Sequence, residues 1–181
     1  MEIQHLPKEK WQGHIIPIGY TASEIYDVAV ARSGDDFTVT LQKKPLARPV
    51  VHTPEQYNYP DRLYAEHWEG ACAHGIVQNG ELAAVIETCA EEWSNRLRVT
   101  ELWVAPACQK QGVGHALMEL AKQQAVREKR RALILETQSC NVNAIGFYLH
   151  EGFTLIGFDA CCYSNSDLAR GEVRLEMGYL L

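Results

Sequence analysis

A short glycine-containing segment is the first part of the sequence whose spacing suggests chemistry. Gln109–Gly114 reads QKQGVG and stands directly before a run with helical periodicity. The first amides of a helix have no acceptor within the helix and lie at the positive end of its dipole, so they bind anions. Glycine at positions 112 and 114 lets a phosphate approach the backbone without a Cβ in the way. The segment is either an anion site or a plain helix entry.

Two familiar phosphate-binding motifs do not fit this segment. A Walker A loop requires Lys directly after its second conserved glycine, where this chain has His115. The dinucleotide-binding fingerprint requires a third glycine where this chain has Leu117, and a strand that runs straight into the glycines, whereas Pro106 intervenes. What remains is a Q-x-x-G-x-G segment between a strand and a helix.

Composition and charge narrow the classes of function. The 181 residues, 46% hydrophobic and 22% charged, are typical of one globular domain, and the net charge of −6 disfavours nucleic acid as a partner. Residues 55–101 hold nine acids against three Arg, whereas residues 109–131 hold six Lys or Arg against two Glu. An acidic stretch suits a cationic substrate and a basic one an anionic cofactor, although both are equally typical of solvated surfaces.

Other signals indicate a protein of the cytoplasm. No stretch approaches the roughly 18 consecutive apolar residues of a membrane span, and the first residues lack the layout of a secretory signal. The six cysteines show neither CxxC nor a paired Cys/His spacing, so we expect reduced thiols, no metal site and no membrane partner. Cys161 and Cys162 are interpreted as small fillers on a strand.

Periodicity predicts the elements that must position the glycine segment. A strand within 95–106 should end at Pro106, and a helix should follow it with an apolar face at Val113, Ala116, Leu117, Leu120 and Ala121. A buried strand at 131–138 and a short helix with Asn141 as its N-cap and Gly152 as its terminator come next. The remaining expectations are two strands within 26–45 around a Ser-Gly-Asp-Asp turn, a proline-broken loop from Pro45 to Pro60, a hairpin over 74–88 turning at Asn79-Gly80, and two C-terminal strands. This order predicts a mixed sheet with helices on its faces.

Two separated motifs resemble the GCN5-related N-acetyltransferase (GNAT) family. The segment VTELWVAPACQKQGVGHALMELAKQQA is similar to the family's strand–loop–helix motif with its [Q/R]-x-x-G-x-[G/A] signature, and ETQSCNVNAIGFYLHEGF is similar to the following strand and helix. The resemblance is closest to streptothricin acetyltransferases through RLRVTELWV, LETQ…NA…FY…GF, GFD…Y and a closing EV…YL. It implies an α/β (α+β) GNAT fold, which is a mixed, mostly antiparallel twisted sheet flanked by helices with strands splayed around acetyl-CoA.

The resemblance also implies where acetyl-CoA binds. Its pyrophosphate would lie on the amides of Gln109, Lys110, Gln111, Gly112, Val113, Gly114 and His115, with Lys110 adding charge. The pantetheine arm would pair with the strand through Leu102, Trp103 and Val104, as an extra strand does at a sheet edge. An amide of this strand, Val104 by expectation, would polarise the thioester carbonyl. Asn141, or else Asn143, is similar to the family's asparagine that contacts the cofactor arm.

The implied reaction needs a base and a proton donor. An ammonium with a pKa near 10 must lose a proton before it attacks, and the thiolate that leaves can be protonated. Glu101 is the first candidate base, directly or through a water, with pairing to Arg96 or Arg98 as the alternative reading. Glu136 is the second candidate, or a carboxylate that binds the substrate ammonium. Tyr148 is the candidate proton donor, on one helix face with Asn141 and with Ala144, whose small size leaves room for the arm.

The candidates for substrate recognition are acidic and aromatic side chains. Trp68, Trp93, Tyr57, Tyr59 and Tyr64 could stack on a cationic chain, and Glu66, Glu69, Glu87 and Asp159 could supply counter-charge, although core packing or plain surface explains each of them singly.

The combined prediction is one N-acetyltransferase domain over residues 1–181. Residues 1–73 would form its substrate-side segment and 74–181 its acetyl-CoA-binding core. The enzyme would transfer acetyl directly to a primary amine of a small cationic molecule, with the β-lysine amine of streptothricin favoured, so that it confers antibiotic resistance. The alternatives are another amine (a polyamine, an amino acid or a protein amino group) and a non-catalytic acyl-CoA-binding module. The strand-rich C-terminus is compatible with a homodimer.

Overall fold

The computed structural model describes residues 2–56 and 60–181, and these fall into two compact units. Unit 1 comprises Met1–Ile18, Pro54–Leu135 and Gly178–Leu181, and unit 2 comprises Gly19–Thr53 and Glu136–Met177. The candidate residues Tyr57 and Tyr59 lie outside the described residues. None of the helices in the described ranges combines the length and the apolarity that a membrane crossing requires.

Strands outnumber helices along the chain. The elements are β1 (Gln4–Leu6), α1 (Lys8–Trp11), β2 (Tyr20–Ser33), β3 (Asp36–His52), β4 (Cys72–Gln78), β5 (Glu81–Glu91), β6 (Arg96–Val104), α2 (Val113–Arg127), β7 (Ala132–Gln138), α3 (Val142–His150), β8 (Thr154–Asp159), α4 (Asp167–Arg170) and β9 (Arg174–Leu180). Short 3₁₀ turns lie at Pro54–Gln56, Glu92–Ser94 and Pro106–Cys108.

The predicted mixed sheet is confirmed. Seven strands follow the order β1-β4-β5-β6-β7-β9-β8, while β2 and β3 form a separate two-stranded ribbon. The pairs β1–β4, β4–β5 and β5–β6 are antiparallel, and β6 pairs with β7 in parallel. A parallel pair needs a crossover connection, and α2 supplies it here.

Local sequence signals explain the elements of unit 1. Asn79 and Gly80 both have positive φ, 52° and 88°, as a type I′ turn requires, and they join β4 to β5 as predicted. β6 ends at Val104, just before the turn that starts at Pro106, which is also as predicted. The core of this unit includes Leu6, Trp11, Ile16, Leu63, Tyr64, Ala73, Leu82 and Val85.

Helix α2 buries most of the predicted apolar face. Its buried residues are Val113, Leu117, Met118, Ala121 and Ala125. Ala116 is exposed and Leu120 only half-buried, so the face is turned slightly from the predicted one.

The ribbon of unit 2 corrects the predicted proline-broken loop. β3 runs through Pro45 and Pro49 to His52 instead of ending near residue 45. A ribbon of two strands leaves one edge of each strand unpaired, where a proline without an N–H is tolerated. The register with β2 also shifts between Ala22 and Glu24, opposite this proline-containing stretch.

The C-terminal part of unit 2 corrects a second expectation. Cys161 and Cys162 do not lie on a strand, because β8 ends at Asp159 and both thiols are exposed in the turns that follow. The core of this unit is built from Val28, Ile145, Val173 and Leu175.

Candidate functional site

The candidate residues are distributed over both units, and those of β6 and α2 belong to unit 1. Within the described residues, β6 pairs with β7 only through Arg96–Arg98 against Ala132–Ile134. β6 continues beyond that pairing to Val104, while its other edge remains paired with β5 as far as Ala84. From residue 99 to 104, the edge of β6 that faces away from β5 thus lies outside that parallel pairing.

The hydrogen-bond pattern shows which β6 groups face this edge. The Ala105 N–H donates to the Ala83 carbonyl at 2.9 Å, so residue 105 is directed towards β5. Since successive residues of a strand alternate in direction, Val104 and Leu102 direct their main-chain groups to the opposite edge. Trp103 directs its own towards Val85 on β5. Of the three residues expected to pair with a pantetheine arm, Leu102 and Val104 have the required orientation.

The loop that follows β6 contains two residues in the left-handed backbone conformation. Lys110 and Gly112 both adopt the left-handed conformation, with φ of 58° and 79°. Gly112 is the N-cap of α2 and its surroundings are open, since no atom lies within 4 Å of the position a Cβ would take. The amides of the first turn of α2 therefore begin in an exposed loop that can accept a phosphate.

Two glutamine side chains stabilise this loop, one by a bond to β6 and one by a bond within the turn that follows it. The Gln109 Nε2 donates to the Val104 carbonyl at 3.0 Å, and the Gln111 Nε2 donates to the Ala107 carbonyl at 2.8 Å. The first of these bonds explains the glutamine of the Q-x-x-G-x-G segment, because it ties the start of the loop to the end of the strand. Lys110 is exposed, as a charge near a bound phosphate would be.

The candidate base Glu101 lies beside a second carboxylate. Glu101 is half-buried and is the direct cross-strand partner of Glu87 on β5. The next pair along β5 is Thr88 with Val99, so Thr100 is an extra residue in β6, a β-bulge. Glu101 and Glu87 are therefore cross-strand neighbours beside this bulge.

Glu87 is completely buried rather than available as a surface counter-charge. Its side chain is 0% exposed, and it accepts hydrogen bonds from the Tyr64 N–H at 2.6 Å and the Thr100 hydroxyl at 2.8 Å. Burial raises the pKa of Glu87, although these two donors lower it in part. Tyr64 is buried as well, and its hydroxyl donates to the Leu6 carbonyl and accepts from the Ala73 N–H. Tyr64 therefore belongs to the core and not to a pocket wall.

Arg96 and Arg98 both bind Glu91, at the end of β5. Glu91 accepts from the Arg96 Nη2 and from the Arg98 Nε, each at 2.6 Å. Burial by itself raises the pKa of Glu91, but the hydrogen bonds from Arg98 and Arg96 outweigh it and hold this pKa below its ordinary value. The two arginines thus form an ion cluster at the start of β6.

In unit 2, helix α3 carries the candidate proton donor. Asn141 is the N-cap of α3, and its side chain accepts from the Ala144 N–H at 3.2 Å, which confirms the predicted cap. Gly152, with φ of 88°, ends the helix as predicted. Tyr148 is buried, with its ring 6.0 Å from that of Phe153, and Ala144 is half-buried. Asn143 is exposed, whereas the Asn141 amide already accepts one bond.

The second candidate base, Glu136, is part of an ion cluster in unit 2. Its Oε2 lies 2.8 Å from the Arg174 Nη1, and Arg174 also binds Glu176 at 2.5 Å. Glu136 is exposed enough to meet a substrate ammonium, but one of its oxygens already has a guanidinium partner. Arg174 is not among the predicted site residues, and its alternation with Glu176 on one strand is the signal that indicates it.

The candidate substrate residues are dispersed. Trp93 is 85% exposed with the Arg96 guanidinium 5.5 Å from its ring, and Trp68 is half-buried with Arg98 6.0 Å from its ring. Glu66 is exposed in the loop that carries Trp68, and Asp159 accepts from the Cys161 N–H at 2.9 Å. An arginine therefore already occupies a position near each tryptophan that a substrate cation could take.

Comparison with protein families gives a match over most of the chain. Residues 40–153 of the 181 match the model of the acetyltransferase (GNAT) family. That range contains β6, the glycine loop, α2, β7 and α3.

Individual relatives extend the similarity to almost the whole chain. Streptothricin acetyltransferase of Streptomyces lavendulae is 28% identical over 166 residues, which cover 87% of this chain and 82% of that protein. The crystal structure of nourseothricin acetyltransferase matches with a TM-score of 0.73 and 26% identity over 99% of this chain and 97% of that one. A protein of Bacillus anthracis str. Ames, solved in complex with acetyl coenzyme A, matches with a TM-score of 0.72 and 19% identity over 99% and 97% of the two chains.

Proposed function

The chain belongs to the acetyltransferase (GNAT) family and is an N-acetyltransferase, and we propose that it transfers the acetyl group of acetyl-CoA to an amine of streptothricin. The observation that carries the choice of substrate is the 28% identity with a streptothricin acetyltransferase over 87% of the chain. At 87% of the chain, that similarity includes at least part of the stretch before position 40, which lies outside the family match. The β-lysine amine is the proposed acceptor, and the cell would gain resistance to the antibiotic.

The glycine loop and the last residues of β6 fit acetyl-CoA. When bound, acetyl-CoA supplies the activated acetyl group. The first-turn amides of α2, from Val113 to His115, would hold the pyrophosphate. The positive charge of Lys110 would lie near it. Leu102 and Val104 would hold the pantetheine arm through the main-chain groups that they direct away from β5. The Val104 N–H is the proposed donor to the thioester carbonyl.

Glu101 is the proposed base. It lies on β6 immediately before the proposed arm-binding residues, so a proton acceptor and the thioester-polarising amide would share one strand. Glu136 is less suited to proton acceptance, since Arg174 stabilises its charged form at 2.8 Å. We propose Glu136 and Asp159 instead as counter-charges for the cationic substrate.

Tyr148 is the proposed proton donor to the thiolate that leaves. The support is its place in the α3 pattern, with the Asn141 cap and the small Ala144 on the same helix face. Replacement by Phe keeps the ring that packs near Phe153 and removes only the hydroxyl. We expect kcat to fall about 100-fold in Tyr148→Phe, the lower end of the range for general acid catalysis.

The ribbon of β2 and β3 supports the proposal of a homodimer. Val30 and Val39 face each other across the ribbon and are 45% and 41% exposed, and Phe37 on the same face is 69% exposed. A two-stranded ribbon is marginally stable by itself, so burial of this face against a second copy would stabilise it. Light scattering at micromolar concentration tests this proposal, because Phe37→Glu should convert a dimer into a monomer, and a monomeric wild type would contradict it.

One enzymatic experiment tests the proposed function. Release of the CoA thiol from acetyl-CoA is followed with streptothricin, spermidine, lysine and a peptide as acceptors, for the wild type and Tyr148→Phe. We expect turnover with streptothricin and a loss in the variant. Turnover with spermidine but not with streptothricin would contradict the proposed substrate. Tight CoA binding with no turnover on any amine would instead favour an acyl-CoA-binding module.

A further inference from the structure

A buried carboxylate on β5 has no role in the chemistry assigned so far. Glu87 stands between Ile86 and Thr88, both buried, in the middle of a core strand, and its own side chain is 0% exposed. Burying a carboxylate is unfavourable unless it is hydrogen-bonded, and an apolar residue would serve the core better. The residue is therefore better explained by what its two oxygens hold in place than by packing.

One oxygen of Glu87 holds the 61–71 loop, the segment Asp61–Ala71 that precedes β4 and contains Glu66 and Trp68. The Tyr64 N–H donates to the Glu87 Oε2 at 2.6 Å. Tyr64 has a φ of 54°, in the left-handed region that a bulky residue rarely adopts. Such a conformation persists only where the surroundings determine it, and the Glu87 carboxylate is a direct partner of that backbone.

The other oxygen of Glu87 holds the β-bulge of β6. The Thr100 hydroxyl donates to the Glu87 Oε1 at 2.8 Å, and Thr100 is the extra residue of the bulge. A bulge changes the direction of the side chains next to it. The next residue along β6 is Glu101, followed by Leu102 and Val104, the residues assigned above to the base and to the acetyl-CoA arm.

We propose that Glu87 is a positioning residue of the acetyl transfer, joining the 61–71 loop to the β-bulge and so fixing the direction of Glu101 and of the Leu102–Val104 edge. The inference rests on the proposed function for the roles of Glu101 and Val104. Glu87 acts through Thr100 and Tyr64 and does not touch the reacting atoms. Loss of the hydroxyl at Thr100 leaves the bulge without its tie to β5, and a small displacement of a base or an oxyanion donor is enough to slow a reaction greatly.

Two matched valine substitutions test the proposal. Thr100→Val removes the hydroxyl that binds Glu87 and keeps the shape of the side chain. Thr88→Val is the control, because the Thr88 hydroxyl, on the neighbouring residue of β5, donates to the Gln124 Oε1 at 2.9 Å and not to Glu87. We expect kcat to fall at least about 10-fold in Thr100→Val with a smaller change in the KM for acetyl-CoA, and to stay within about twofold in Thr88→Val. Thr100→Ser, which restores the hydroxyl, should recover most of the lost kcat.

The contrary outcome is also specific. If Thr100→Val loses no more kcat than Thr88→Val, or if Thr100→Ser fails to recover a lost kcat, Glu87 is structural and the proposal is wrong. If circular dichroism shows Thr100→Val to be unfolded, Glu87→Gln takes its place, with the same expected loss of kcat and the same contrary result. The ratios between variants are measured with whichever amine the wild type acetylates. A substrate other than streptothricin would therefore contradict the proposed function and leave this comparison intact.

Discussion

The carboxylates at the two ends of the β5–β6 pair have different hydrogen-bond partners. Where β6 begins, Glu91 binds two guanidinium groups, and the cluster is an ordinary ion network. Beyond the bulge at Thr100, Glu87 binds a hydroxyl and a backbone N–H, and Glu101 lies opposite it. One end of this pair of strands therefore contributes to stability, and the other end carries the residue proposed as the catalytic base. The arginine partners hold the pKa of Glu91 below its ordinary value, whereas burial outweighs the two neutral donors of Glu87 and raises its pKa.

The largest expected effect comes from removing the proposed base. Glu101→Gln should lower kcat by about 10²- to 10⁴-fold, because the substrate ammonium would lose its proton acceptor. The rate of thiol release at saturating acetyl-CoA and amine measures the change. Glu136→Gln, at the second candidate base, is the matched control, and we expect its kcat to fall by less than about 10-fold. If the control loses more kcat than Glu101→Gln, the base has been assigned to the wrong strand.

Breaking the ion cluster should affect stability instead of catalysis. Glu91→Gln leaves Arg98, which is 7% exposed, without its carboxylate, and we expect the free energy of unfolding to fall by about 2 kcal/mol. This figure lies below the usual cost of a broken buried pair, because Glu91 itself retains some contact with solvent. Urea unfolding measures the loss, and kcat on the folded protein should stay within about twofold of the wild type. A large loss of kcat in Glu91→Gln with an unchanged unfolding midpoint would contradict the assignment of this end of the strands to stability.

The glycine loop follows the end of β6 that carries the proposed base. Adding one methyl group at Gly112 tests whether this loop binds CoA. Gly112→Ala places a Cβ on a residue with φ of 79°, which is unfavourable for Ala even though the space is open. We expect the dissociation constant of CoA to rise about 10-fold as the loop shifts away from its left-handed conformation. Isothermal titration measures it, and Gly146→Ala is the control, in a helix where the added Cβ also meets no atom within 4 Å. Equal CoA affinity in both variants would show that the loop does not hold the cofactor.

The smallest expected effect is on the pH dependence of the free energy of unfolding, to which Glu91 and Glu87 should contribute with opposite signs. The pKa of Glu91 is lowered by its arginines, so its contribution to stability is present at neutral pH and is lost as the pH falls through that lowered value. The pKa of Glu87 is raised by burial, so its ionisation reduces stability as the pH rises above the ordinary value of about 4.3. From pH about 7 to about 4, the stability difference between wild type and Glu91→Gln should shrink. The difference between wild type and Glu87→Gln should move in favour of the wild type. Urea unfolding at the two pH values measures both, and equal signs would contradict the contrast.

Much of unit 1 could be predicted because its signals are local. The Asn79-Gly80 turn requires positive φ at two adjacent residues, and few residue types other than Asn and Gly supply it. Pro106 stops β6, and the apolar spacing after Gly112 indicates α2. The family motifs lie in these same elements, so the fold and the proposed acetyl-CoA-binding residues followed from them together.

Other features depend on pairing between distant residues and were not predictable. The bulge at Thr100 is visible only in the register of β6 against β5. The continuation of β3 through Pro45 and Pro49 depends on its being a strand with an unpaired edge. Glu87 has the sequence appearance of any acidic residue on a strand, and only its contacts with Tyr64 and Thr100 distinguish it from a surface charge.

The substrate assignment is tested most directly by competition. The enzyme, acetyl-CoA and equimolar streptothricin, spermidine and lysine are combined in one reaction, and mass spectrometry identifies which amine gains an acetyl group at early times. We predict that monoacetylated streptothricin accumulates first and that Glu101→Gln slows its formation by about 10²- to 10⁴-fold. Preferential acetylation of spermidine or lysine would contradict it.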